Sequence, residues 1–292
     1  MTELQPNPLP REGISPPQHQ NLAHPDLERV RGHARLGFDS TGGETRLVEF
    51  YQSGSAKIRM PRIGAGGARE AVLLNTAGGL TGGDHLVYEV SAGAGTRAVV
   101  STQAAERIYR RSRGVARIET NIVVGEGAHL DWLPQETIIF DNSALSRRLC
   151  ADIAPDATLF AVESIVLGRA AMGETTRKIL LNDSWRIRRA GELIFADGLR
   201  LDGDASVIMA GGATGKGAIA IATVLLISPD AEDRIAAARA ALDQSQGESG
   251  ASAWNGMLVA RLIASNGQHL RSDIIRLVEG LRGVAMPRVW NC

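Results

Sequence analysis

The sequence predicts a mainly β protein that closes with helices. Three observations lead there. From about residue 30 to 227, short β-type segments alternate with Gly, Asp and Asn punctuation. Within that region "GTRAVVSTQ" from Gly95, "GAHLDWLPQ" from Gly127 and "DATLFAVES" from Asp156 each set a turn before a strand. The steps between them are 32 and 29 residues, in the range where stacked architectures repeat. Helix periodicity is confined to the last quarter. A meandering sheet also repeats turn-then-strand at such steps, so the pattern alone leaves stack and meander both open.

In chain order, residues 1–27 read as a flexible leader. "MTELQPNPLPREGISPPQHQ" is polar and proline-rich, with no apolar h-region. Residues 28–292 then form one domain, β to about 227 with helices packed on the sheet afterwards. "RIETNIVV" puts Ile118, Thr120, Ile122 and Val124 on one side of a strand. "WRIRRAGELIFADGLRL" reads as two strands around Ala190-Gly191, with Asp197-Gly198 as the next turn. "GAIAIATVLLIS" is a nearly continuous apolar run, as in a strand covered on both faces. "SPDAEDRIAAARAALDQS" opens a helix with Ser228 as N-cap and Pro229 in first position. "QSQGESGASAW" is punctuation, and a second helix starts near Ser272, carries Ile274, Leu277, Val278 and Leu281, and stops at Gly283.

Composition narrows the functional classes. Lys plus Arg and Asp plus Glu balance at 32 each, so no overall field favours nucleic acid or an anionic membrane. No run reaches the ~18 apolar residues of a membrane span. The lysines are Lys57, Lys178 and Lys216, so the positive charge is almost all guanidinium, suited to carboxylate pairing at protein surfaces. Cys150 and Cys292 form no CxxC pair, which fits a reducing compartment; a cytoplasmic protein is expected.

The chemistry motifs are mostly negative. "GGATGKGA" at 211–218 lacks a P-loop's first glycine (Ala210) and its Ser/Thr (Gly217), and reads as a hairpin turn. No GxGxxG, GxSxG or HExxH spacing occurs, so nothing supports a dinucleotide site or a hydrolase; triads are spatial and a hydrolase stays open on motifs alone, but turnover by the isolated chain is expected to be absent. His85 and His129 stand near Asp84 and Asp131, as ordinary surface groups or metal contacts. "LLNTAGGLTGGDHL" gathers Gly78, Gly79, Gly82 and Gly83 before Asp84: a forced bend, a phosphate cradle or a contact surface, with Asp84 a ligand or a turn cap. In "HLDWLPQETIIFD", strict alternation puts Glu136 on the face of Trp132, Pro134, Ile138 and Phe140. An inward carboxylate there must be paired, hydrated, protonated or bound to a cation, an arginine partner being the plain structural solution. A bulge at Pro134 would instead turn it outward. "RIYRRSRGVAR", Arg107 to Arg117, is either a solvated face or a rim that docks an acidic protein surface, with Arg110 and Arg111 at its centre.

Taken together, "NTAGGLTGGD" (75–84), "STQAAERIYR" (101–110), "GAHLDWLPQETIIF" (127–140), "LGRAAMGE" (167–174) and "MPRVW" (286–290) resemble the UreD (UreH) family of urease accessory proteins in order and spacing, over residues 28–290. The resemblance implies a β-helix-like stack of strands with two C-terminal helices. It also implies a non-catalytic scaffold and chaperone that binds apo-urease and recruits UreF and the GTPase UreG, so that nickel reaches the urease active site. No intrinsic cofactor is implied, and Ni²⁺ would be transient. The family's GGxxGGD and PQE segments map onto Gly78, Gly79, Gly82, Gly83, Asp84 and Glu136. Since Ni²⁺ accepts carboxylate, imidazole and water, Asp84 and Glu136 become way-stations if they line a wet interior.

Overall fold

A computed structural model describes residues 28–61, 67–169 and 173–291. The leader at 1–27 and Cys292 lie outside the described residues. Two sheets face each other. The first orders its strands β14 (Glu192–Gly203), β13 (Ile179–Arg189), β11 (Ala144–Ile153), β8 (Ala116–Val124), β5 (His85–Ala92), β1 (Arg31–Thr41) and β2 (Glu44–Gly54). Its five inner strands are parallel, and β2 and β14 close the edges antiparallel. The second sheet has a parallel centre of β12 (Thr158–Leu167), β9 (His129–Leu133), β6 (Arg97–Thr102) and β4 (Arg69–Asn75). Antiparallel strands flank it: β3 (Ala56–Arg59) on one side, and β15 (Ala220–Ile227), β17 (Met257–Ala264) and β16 (Glu248–Trp254) on the other.

From β4 to β13 the chain crosses from one sheet to the other at each turn of a coil. A narrow third strip completes the rungs: β7 (Glu106–Ile108) and β10 (Thr137–Ile139) run parallel to each other and to the end of β12, and Leu80 bridges to Ile108. Arg97 pairs with His129 and His129 with Thr158, so the 32- and 29-residue steps of the sequence are the rung lengths. The stack, not the meander, is the architecture.

The layers explain the sequence patterns. Strands of the first sheet are apolar inward and polar outward; in β8, Ile118, Thr120, Ile122 and Val124 are all buried. Strands β12 and β15 are buried on both faces, because an inner core lies between the sheets and a second core separates the second sheet from the helices. Helix α3 (Gly267–Arg282) lays Leu270, Ile274, Leu277, Val278 and Leu281 into that second core. The helix ends at Gly283, in the left-handed region at φ 68°.

Four boundaries differ from expectation. Helix α3 starts at Gly267, because the Asn266 side chain accepts from the His269 N–H and caps it well before Ser272. Ser228 caps nothing: its hydroxyl donates to Asp230, a 3₁₀ turn at Glu232–Arg234 intervenes, and α2 runs Ile235–Leu242. "QSQGESGASAW" supplies the edge strand β16, so two strands lie beyond residue 227. Asp197-Gly198 is no turn: β14 runs through it, while Ala190 and Gly191, at φ 51° and 83°, make the hairpin as expected. A short helix, α1 (Ala205–Ala210), precedes the "GGATGKGA" turns.

Candidate functional site

The glycine-rich loop is the rung turn between β4 and β5, pressed against the chain one rung further on. The Leu80 N–H donates to the Arg107 carbonyl at 2.7 Å, and the Tyr109 N–H returns a bond to the Leu80 carbonyl at 2.7 Å. A Cβ on Gly82 would stand 2.1 Å from the Arg113 carbonyl oxygen, and one on Gly79 2.3 Å from the Tyr109 ring. Close backbone approach is what these two positions require. Gly78 and Gly83 have φ of 74° and 95°. Asp84 is buried, and its carboxylate accepts the Thr81 N–H at 2.7 Å and the Val30 N–H at 2.9 Å. Both carboxylate oxygens are thus engaged in tying the turn to the start of β1.

Glu136 lies elsewhere. Pro134 to Glu136 interrupts the strand between β9 and β10, and the register changes there. Trp132, Thr137 and Ile139 are buried, whereas Glu136 is half-buried and pairs with Arg271 of α3 at 3.0 Å. The shared face of Trp132 and Glu136 is therefore not formed, because a proline cannot donate to the ladder. The next residue back, Gln135, donates to the carbonyls of Thr102, Gln103 and Val289. The structure does not bring Asp84 and Glu136 together. Arg110 is exposed, while Arg111 is fixed by its bond to the Gly114 carbonyl at 2.7 Å and by its backbone to Asn142.

What the stack does enclose is a cavity of about 240 Å³ between the sheets, walled by Tyr88, Thr120 and Trp132 and reached past Asn75 and Glu106. Its floor is a buried ionic group. Arg147 of β11 is inward with Leu145 and Leu149, and Asp183 of β13 is inward with Leu181 and Trp185. These two residues are register partners on adjacent rungs. The guanidinium donates from Nε to Asp183 Oδ1 at 3.0 Å, from Nη2 to Oδ2 at 2.7 Å, and from Nη1 to Thr137 Oγ1 at 3.0 Å. Glu163 of β12 reaches in from the opposite sheet; its Oε2 is 3.2 Å from Arg147 Nε but receives no hydrogen bond, since that N–H points at Asp183.

A second void of about 80 Å³ lies on the far side of Glu163 and Asp183, closed outward by Asp197 and Arg261, which pair at 2.7 Å. Carboxylates therefore follow one another from Glu106 through Glu163 and Asp183 to Asp197. Burial pushes Glu163 up to about 7 against the pull of Arg147, and burial likewise pushes Glu106 up to about 7 against its bonds from Asn75. Burial would lower Arg147, but Asp183 and Glu163 more than reverse this and hold it charged. Among the described residues no set of three or more His, Cys, Asp or Glu is grouped to hold a metal ion. His85 pairs with Glu119, and the partly exposed His129 pairs with the buried Asp131, which also holds Arg282 at 2.8 Å.

Sequence reasoning missed Arg147, Glu163 and Asp183. The available signal was alternation: "LSRRLCADI" and "LLNDSWRI" each place one charge in phase with inward Leu, Trp and Ile.

Residues 30–291 match the family model described as UreD urease accessory protein. The chain belongs to the UreD family. A urease accessory protein UreD of Rhizobium rhizogenes is 49% identical over 265 residues, covering 90% of this chain and 96% of its own. That of Azorhizobium caulinodans is 45% identical over 266 residues, covering 91% and 98%. One from a Methylobacterium species is 45% identical over 282 residues, covering 94% and 99%. This UreD chain thus has the stacked β architecture with its main helix at the C-terminal end. No helix among its described residues is long and apolar enough to cross a membrane.

Proposed function

We propose that this chain is a non-catalytic, cytoplasmic scaffold of urease maturation. It holds apo-urease together with UreF and the GTPase UreG while Ni²⁺ passes through the interior of the stack. Family membership supports the maturation role. The observation that carries the passage is Glu163: a buried carboxylate oxygen without a donor, standing where two interior voids meet. An acceptor in that state costs free energy unless a cation, proton or water reaches it. The exposed Arg110 side of the basic rim serves as a docking point for an acidic partner surface.

The test is co-expression with apo-urease, UreF and UreG, scoring nickel per urease active site. Glu163→Gln is expected to lower nickel incorporation at least tenfold while the four proteins still co-purify. Asp84 and Glu136 stay proposed nickel contacts: with Glu136 beside the Gln135 wall of the cavity, Glu136→Gln is expected to reduce delivery less than Glu163→Gln does. Wild-type nickel content in urease matured with the Glu163→Gln chain would remove the interior route.

A further inference from the structure

We infer that Arg147 is a resident counter-cation that sets how weakly the interior site holds a divalent metal ion, and so keeps it a place of passage. The inference rests on the interior route proposed above and concerns its regulation.

Asp183 and Glu163 alone would present two negative charges in a buried, two-sided void, a strong trap for a dication. Arg147 changes that in two ways. Its fork occupies both oxygens of Asp183, so those lone pairs are not open to an incoming ion. With all three groups ionised its charge leaves the group at −1, and it opposes any second cation placed between the carboxylates. The guanidinium is held there by Thr137 and cannot swing away without losing three hydrogen bonds. Glu163 is the one of the three groups that lines both voids, and its Oε2 accepts no hydrogen bond although it stands 3.2 Å from Arg147 Nε. A dication entering from the Glu106 side thus meets one carboxylate, Glu163, beside a fixed positive charge, an arrangement that admits it and does not retain it. Arg147 is a positioning and affinity-setting residue, not a ligand.

The experiment measures Ni²⁺ affinity of the purified full chain by equilibrium dialysis across a charge series. Arg147→Gln keeps amide donors for Asp183 and Thr137 but takes the group to −2; Asp183→Asn takes it to zero; Arg147→Lys restores −1. The expected order is Arg147→Gln at least tenfold tighter than wild type, Arg147→Lys close to wild type, and Asp183→Asn at least tenfold weaker. Ni²⁺ is also expected to raise the Tm of Arg147→Gln and to leave that of wild type unchanged. Equal affinity across the series overturns the inference, as does Arg147→Lys binding as tightly as Arg147→Gln. If Arg147→Gln does not fold, the comparison of wild type with Asp183→Asn decides. Glu163→Gln in the same assay separates the two claims. If it binds Ni²⁺ like wild type, the interior route fails; if it binds more weakly while the charge series stays flat, the inference about Arg147 alone fails.

Discussion

Trp290, near the C-terminus, is expected to hold the cavity wall from outside, and Trp290→Ala tests this. The indole is 2% exposed in the core beneath α3. Its Nε1 donates to the Leu133 carbonyl at 3.0 Å, and Arg271 lies 4.8 Å over the ring while its Nη2 donates to the Trp290 carbonyl at 2.6 Å. Burying roughly 200 Å² of indole at about 25 cal/mol/Å² gives about 5 kcal/mol as an upper bound. Truncations of this kind cost about 3–5 kcal/mol. Trp290→Ala should therefore lose about 4 kcal/mol of unfolding free energy in urea, followed by far-UV circular dichroism. Trp290→Phe keeps most of the area but leaves the Leu133 carbonyl without its donor, a loss of about 1–2 kcal/mol. The same segment supplies the Val289 carbonyl to Gln135, so Trp290→Ala should also speed exchange of the Gln135 amide, which is bonded to Thr102. A loss below about 1.5 kcal/mol with unchanged exchange would show that the C-terminal segment is not what fixes that wall.

Two further predictions follow from the interior and the loop. Glu106 titrates near 7 folded against 4.5 as its ordinary value. Between those values the folded chain keeps a proton that the unfolded chain has lost, so this group's effect on stability worsens as pH rises through that window and is constant above it. Glu106→Gln should gain about 1–2 kcal/mol relative to wild type at pH 8 and nothing at pH 4; an equal difference at both pH values in urea titrations would contradict the buried, raised carboxyl. Gly82→Ala drives a methyl into the Arg113 carbonyl and should cost about 2 kcal/mol or more, several degrees of Tm. Gly212→Ala, with open space around it, should leave Tm unchanged.

Much of the architecture was legible because a coil repeats its turn. The steps after Gly95 and Gly127 are rung lengths, and the apolar run of β15 records cover on both faces. Boundaries were harder where a cap competes with periodicity, as when Asn266 claims the start of α3 ahead of Ser272. The site was the least legible part. Alternation through "HLDWLPQETIIFD" fails at Pro134, where the ladder breaks and Thr137 and Ile139 turn inward in place of Glu136 and Ile138, so Glu136 meets Arg271 instead of the core. Arg147 and Asp183 carry no motif. Their meeting depends on the register of β11 against β13, which is set by the intervening β12 rung and not by local sequence.

The interior group makes three hydrogen bonds, two of them between opposite charges, and these work against the cost of burying three ionisable side chains. Replacing a buried ion cluster of this kind by well-packed apolar residues is often neutral or stabilising, and Leu145, Leu149, Leu181 and Trp185 show that the same strands supply such residues one step away. The cavity beside it adds to the cost: left dry and apolar, about 240 Å³ would lose roughly 6 kcal/mol at about 24 cal/mol per Å³. Polar walls reduce that loss by allowing solvent to enter, yet a filled core would avoid it altogether. Two independent penalties, a void and a charge cluster with an unbonded carboxylate oxygen, fall at the same place between the sheets. A scaffold needed only for its outer surfaces gains nothing from either, and the interior route proposed above is the reading under which both have a use.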